Sequence, residues 1–152
     1  MSIDSTRLHT ARDKARATLL QTRNLEGHWS GELSSSALAT ATAVNALRIV
    51  QHETKTNHQT LIDGGLKWLA DNANDDGGWG DTVKSLSNIS TTTLCWAVFD
   101  EGDKFHDVVK RADAWLEKTA GGVDSNHLAP AIIRRYGKDR TFSIPILTQT
   151  SV

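Results

Sequence analysis

Asp75-Asp76-Gly77-Gly78-Trp79-Gly80 decides the fold, because Gly27-His28-Trp29-Ser30-Gly31 says nearly the same thing fifty positions upstream. Each stretch follows an amphipathic run bearing Leu or Trp, and each precedes Ser, Thr and Ala with apolar residues between. Glycines around a tryptophan, recurring at this interval, are the signature of stacked helical hairpins. Glycine supplies the positive φ that lets a chain reverse at a helix C-terminus. A tryptophan just beyond that reversal lays its ring across the neighbouring hairpin and buries a large area. Aspartates such as Asp75 and Asp76 suit the turn itself. The repeat-motif residues are Gly27, Trp29, Gly31, Trp68, Gly77, Gly78, Trp79 and Gly80, and their expected role is packing rather than chemistry.

Working outward, the periodicity predicts an all-α fold of αα-hairpin repeats. Thr6 to Arg23 reads as an amphipathic helix with Leu8, Ala11, Ala15 and Leu19 on one side and Arg and Lys on the other. Ser34, Ser35 or Ser36 caps a second helix, Ala37 to Val50, apolar or small nearly all round and so expected to be buried on most sides. His52 to Thr60 reads as a loop. A third helix spans about Thr60 to Asn72, carrying Leu61, Ile62, Leu66, Trp68 and Leu69. A fourth, Thr91 to Phe99, is capped by Ser90 or a neighbour. Its three threonines would also suit a strand, but Thr40 and Thr42 occupy the parallel place in an alanine-rich stretch, which favours helix.

A third unit opens near Phe105, where Val108, Val109, Ala112, Trp115 and Leu116 form a stripe that Gly121-Gly122 ends. Ser125 or Asn126 then caps a helix running through Pro130, as a first turn tolerates, to Tyr136. The predicted organisation is one repeat region over residues 1–137, with units at about 6–50, 60–99 and 105–137. Residues 138–152 form the start of a next element without regular pattern.

The bulk properties narrow the function. A chain of 152 residues with 38% hydrophobic and 23% charged side chains is globular and can bury a core. A net charge of -1 gives no general pull toward nucleic acid. Cys95 is the one cysteine, so no internal disulfide forms. Met1 to Arg16 has no apolar signal-peptide core, and no window reaches the ~20 apolar residues of a spanning helix. A cytoplasmic location, free or peripheral on the membrane face, is expected rather than secretion.

Leu19-Leu20 leading to Gly27-His28-Trp29-Ser30-Gly31-Glu32-Leu33 resembles the first repeat of squalene-hopene-type (class II) terpene cyclases. Trp68-Leu69 leading to Asp75-Asp76-Gly77-Gly78-Trp79-Gly80 and Ile89-Ser90-Thr91-Thr92 resembles the next. Gly121-Gly122-Val123-Asp124-Ser125, then Tyr136-Gly137-Lys138-Asp139-Arg140 with Ser143-Ile144-Pro145, follow in the family's order. The resemblance covers essentially the whole chain. It implies αα-hairpins assembling into an α/α toroid, here incomplete. It also implies polyene cyclization, in which a carboxylic acid protonates an alkene of a polyprenoid such as squalene, without a cofactor.

Three departures qualify that inheritance. The family's glutamine before its Gly-x-Trp, stacked on the tryptophan, is replaced by Arg23 and Ala73, which predicts weaker turns. Inner-helix glutamates are replaced by Thr40, Thr42 and Leu94. The Asp-x-Asp-Asp motif that supplies the acid is absent from these residues. No catalytic, cofactor-binding or metal-ligating residue is therefore assigned, and the polyprenoid is a partner only in the full-length context. The alternative is a non-catalytic αα-repeat module that binds a lipid or a protein.

Other constellations are weaker. His9, His28, His52, His58, His106 and His127 are scattered, and Cys95 has no nearby partner. The Asp, Cys and His zinc set of protein prenyltransferase β-subunits, which share the toroid, cannot be assembled. Glu32 beside a glycine turn could act as an acid or base, though a solvated turn carboxylate is the simpler reading. His127 near Asp124 reads as a surface histidine at a helix start. Arg134, Arg135, Lys138 and Arg140 form a basic cluster, solvated or facing anionic lipid head groups.

Overall fold

A computed structural model describes residues 4–31, 33–99 and 104–150. Among the described residues all regular structure is helical: α1 (Ser5–Gln21), α2 (Ala37–Thr54), α3 (Gln59–Asp71), α4 (Ile89–Ala97), α5 (His106–Ala120), α6 (Ser125–Tyr136) and α7 (Ser143–Gln149). The all-α expectation holds. The chain forms two compact units, Met1–Ser34 and Ser35–Val152.

In the first unit Asp4 caps α1, its carboxylate accepting the Thr6 and Arg7 amides at 2.9 and 3.4 Å. The apolar stripe is present, yet no residue of the helix is buried. Leu8 and Leu19 stay 55% and 54% exposed, so the pattern predicted the face but not its cover.

The second unit is built around α4. Asn88 caps it, with its side-chain oxygen accepting the Thr91 amide at 3.1 Å. Every residue from Ile89 to Cys95 is buried, because α2, α5, α6 and α7 all pack against this one helix. Helices α2, α4 and α6 thus form one row, with α3 laid on α2 and α5 on α4 and α6. The α3 face is Ile62, Leu66 and Leu69, at the i, i+4, i+7 spacing of a helical stripe. The α5 face is Ala112 and Leu116, and Gly121 ends that helix at φ +93° as its sequence predicts.

Four expectations are corrected. Helix α2 continues past Val50 to Thr54, so the loop begins later, after Lys55 closes the helix at φ 58°. Only Ala37, Ala41 and Val44 of α2 are buried, while Ile49 and Val50 are exposed. An alanine-rich helix looks apolar on all sides, yet one stripe, Ala39, Ala43, Ala46 and Val50, stays exposed while α3, α4 and α7 line the others. Pro130 stands in the second turn of α6, where it removes one backbone hydrogen bond. Buried Leu128, Ala131 and Ile132 hold the helix together across it. Residues 143–149, read as irregular, form α7. Pro145 lies in its first turn, where no partner is lost. Buried Ser143 and Ile146 seat the helix. The Thr42 hydroxyl and the Asn45 amide reach Gln149 from α2 at 3.1 and 3.4 Å.

Candidate functional site: the glycine and tryptophan turn

The two turns are the same structure. Asn24 donates its amide to the His28 carbonyl and Asn74 to that of Gly78, both at 2.9 Å. Gly27 and Gly77 then donate back to Asn24 and Asn74, at 3.1 and 2.9 Å. Both glycines have positive φ, +85° and +92°. Each indole N–H donates to a carbonyl ten residues earlier, Trp29 to Leu19 at 2.7 Å and Trp79 to Leu69 at 2.9 Å. Those carbonyls lie in the last turns of α1 and α3, where helix geometry leaves C=O groups short of partners. The tryptophan therefore caps the helix that precedes it.

The copies differ in what surrounds the ring. Trp79 is 1% exposed and Trp29 47%. Trp79 stacks on Phe99 with centroids 6.2 Å apart, and Phe99 meets Phe105 edge-on at 5.4 Å. Its backbone is clamped by Thr92, whose hydroxyl accepts the Trp79 amide at 2.9 Å and lies 3.3 Å from the Trp79 carbonyl. Thr93 bonds back to Ile89 and Thr91 reaches Asp81, both at 2.7 Å. A run of threonines survives burial because each hydroxyl is satisfied. At the first turn the Arg23 guanidinium lies 5.8 Å from the Trp29 ring centroid and donates to the Gly27 carbonyl at 2.8 Å. Where the family's glutamine is replaced by Arg23, a cation lies over the ring. Ala73 offers no such group and packs on the core.

Asp76 and Asp81 tie the second turn to the rest of the unit. Asp76 accepts the Ser87 hydroxyl at 2.6 Å, the Gly78 amide at 3.1 Å and the Trp115 indole of α5 at 3.0 Å. Desolvation opposes its charge, but these hydrogen bonds outweigh that and hold the carboxyl below its ordinary value. Asp81 is lowered chiefly by the Thr91 hydroxyl, against desolvation, with help from Asn88 and the charge of Arg135. A carboxylate with a lowered folded pKa stabilises the fold fully above its unfolded value, near 3.8, and loses that contribution as pH falls through the folded value. Urea melts should therefore show a stability loss that sets in below about pH 4. Asp76→Asn should lower stability at pH 7 and flatten that acid limb; an unchanged limb would contradict the assignment.

Trp68 is half-buried against the core, as its place in the stripe requires. A Cβ on Gly78 would collide with Ser87 and Thr92, and one on Gly80 with the Ser85 and Leu86 carbonyls. Gly31 meets nothing and has no positive φ, so its place in the motif carries no structural demand. Glu32 lies outside the described residues. Asp124, not Ser125 or Asn126, caps α6. His127 lies 2.7 Å from the Asp124 carboxylate, and that hydrogen bond lowers the acid's pKa. Both side chains are exposed. Burial pushes the Cys95 thiol far up, leaving it unreactive.

Sequence reasoning passed over Asn24 and Asn74, although their recurrence at the same fifty-residue offset was visible. It also passed over the pairing of Trp115 with Asp76 and of Trp96 with Asp113, the latter at 2.6 Å. Residues 13–137 match the family model of the squalene-hopene cyclase N-terminal domain. No solved structure matches the chain.

Proposed function

This chain belongs to the squalene-hopene cyclase N-terminal domain family, and we propose that it is the N-terminal αα-repeat scaffold of a cyclase acting on a polyprenoid such as squalene. The observation that carries the reading is the repeated turn, with its indole-to-carbonyl bond at Trp29 and Trp79. Each such bond fixes a turn to the helix before it, and Asp76 ties the second turn to Trp115 of the next hairpin. The row α2, α4 and α6 is the kind of inner layer from which an α/α toroid grows.

The chemistry requires a carboxylic acid that gives its proton to an alkene, and a dry chamber in which the developing cations are shielded. Neither is supplied by these residues. The Asp-x-Asp-Asp acid is absent from the sequence. The crevice walled by Leu94, Tyr136 and Phe142 holds about 150 Å³, and the larger hollows, about 470 Å³ beside Asp63, Lys67 and Phe105 and about 560 Å³ along α1, are open grooves rather than closed chambers. The chain alone is a scaffold that cyclizes nothing. Hopanoid-type biosynthesis and peripheral contact with a membrane, where a polyprenoid would reside, complete the proposal. No helix of the described residues is long and apolar enough to cross one.

Incubating the 152-residue chain with squalene and analysing the lipid extract by gas chromatography should reveal no cyclic product. Adding a cyclase fragment that carries Asp-x-Asp-Asp but lacks its own N-terminal domain should restore one. A product from the chain alone, or none from the pair, would contradict the scaffold reading.

A further inference from the structure

The corner between α6 and α7 carries features that the repeat does not use. Arg134, Arg135, Lys138 and Arg140 place four exposed cations within seven residues. Asp139, the acid among them, accepts the Thr141 amide at 2.8 Å within its own turn. Arg135 lies 5.8 Å from the Tyr136 ring centroid and shares its charge with Asp81. Among the described residues no ion pair engages Arg134, Lys138 or Arg140.

Apolar groups stand beside these cations. Phe142 and Ile144 are 59% and 57% exposed. The Phe142 ring stacks on Tyr136 with centroids 6.0 Å apart. The segment is not loose: Ser143 and Ile146 are buried, and Gln149 is bonded to Thr42 and Asn45. Ile144 in the first turn of α7, and the free face of Phe142 just before it, are therefore held exposed at an anchored helix.

The geometry points to this corner as a contact for an anionic lipid bilayer. Its cations lie at phosphate level, and Phe142 and Ile144 enter the boundary between head groups and acyl chains. Unanswered positive charge beside an exposed aromatic and aliphatic pair fits a surface that is both anionic and apolar. A nucleic acid would use the cations and leave Ile144 without a role. The inference gives the peripheral association proposed above a surface, and it rests on that part of the reading.

Sedimentation of the chain with lipid vesicles tests it. The chain should pellet with an equal mixture of phosphatidylcholine and phosphatidylglycerol, and not with phosphatidylcholine alone. The triple variant R134Q/K138Q/R140Q should bind roughly 10- to 100-fold more weakly, since each cation near an anionic surface contributes independently. F142S/I144S, both at exposed positions, should lose roughly tenfold with its cations intact. Circular dichroism should show all variants folded. Failure of the wild type to pellet, or undiminished binding by either variant, would overturn the proposal. So would duplex DNA displacing the vesicles while F142S/I144S binds as well as wild type. Product formation from squalene by the paired fragments is read separately, so either proposal can fail while the other stands.

Discussion

Trp79→Ala should cost the fold about 3–5 kcal/mol, the range for truncating a buried Phe or Trp to Ala. Among the described residues nothing else so large lies so deep: the ring is 1% exposed and stacks on Phe99. Truncation would remove that packing and also strip the Leu69 carbonyl of its indole donor. Trp79→Phe separates the two effects, because it keeps a ring and loses the N–H. It should cost about 1 kcal/mol, the worth of one hydrogen bond, since the Leu69 carbonyl keeps the Asn72 amide at 3.3 Å. Trp29→Ala, at a half-exposed ring, should cost much less than Trp79→Ala. Denaturant melts decide the matter, and a loss below about 1 kcal/mol for Trp79→Ala would show that the ring does not hold the hairpins together.

The second large effect is expected at Gly77, and it comes from the backbone. With φ at +92° an L side chain is strained there, by about 1–2 kcal/mol. A Cβ would also fall 2.6 Å from the Arg111 carbonyl oxygen of α5. That oxygen belongs to a helix backbone and cannot rotate away, so overpacking adds about 1–3 kcal/mol. Gly77→Ala should therefore destabilise by about 2–5 kcal/mol in total. Gly64 of α3 is the control, since a Cβ there meets no atom within 4 Å. Gly64→Ala should be neutral or stabilise by up to about 1 kcal/mol. Equal stability of Gly77→Ala and wild type in urea melts would mean that the turn of one hairpin does not pack on the helix of the next.

Much of this architecture was legible because its devices are local. The glycine and tryptophan spacing marks both turns, and the stripes on α3 and α5 name their own buried faces. What was not legible depends on contacts distant in sequence. Nothing near Trp115 announces Asp76, which lies 39 residues away. Nor does an Ala-rich helix disclose which side stays open, since alanine suits either environment, and the exposed stripe of α2 is itself Ala39, Ala43 and Ala46. Arg23 shows a different limit. Its side chain reaches Trp29 by a route that residue-type expectation does not anticipate, replacing an amide stack with a cation over the ring. Helix α7 was missed because Pro145 reads as a breaker unless the helix start is known.

The turn at Gly77-Gly78-Trp79-Gly80 caps α3 through its tryptophan, and hydrogen exchange of the Trp79 indole reads that statement most directly. Its N–H is buried and bonded to Leu69 at 2.9 Å. In nitrogen-15 NMR its exchange should require opening of the whole second unit, and its protection should match the slowest backbone amides of α4. The exposed Trp29 indole should exchange far faster. A Trp79 indole proton exchanging as fast as that of Trp29 would contradict the cap.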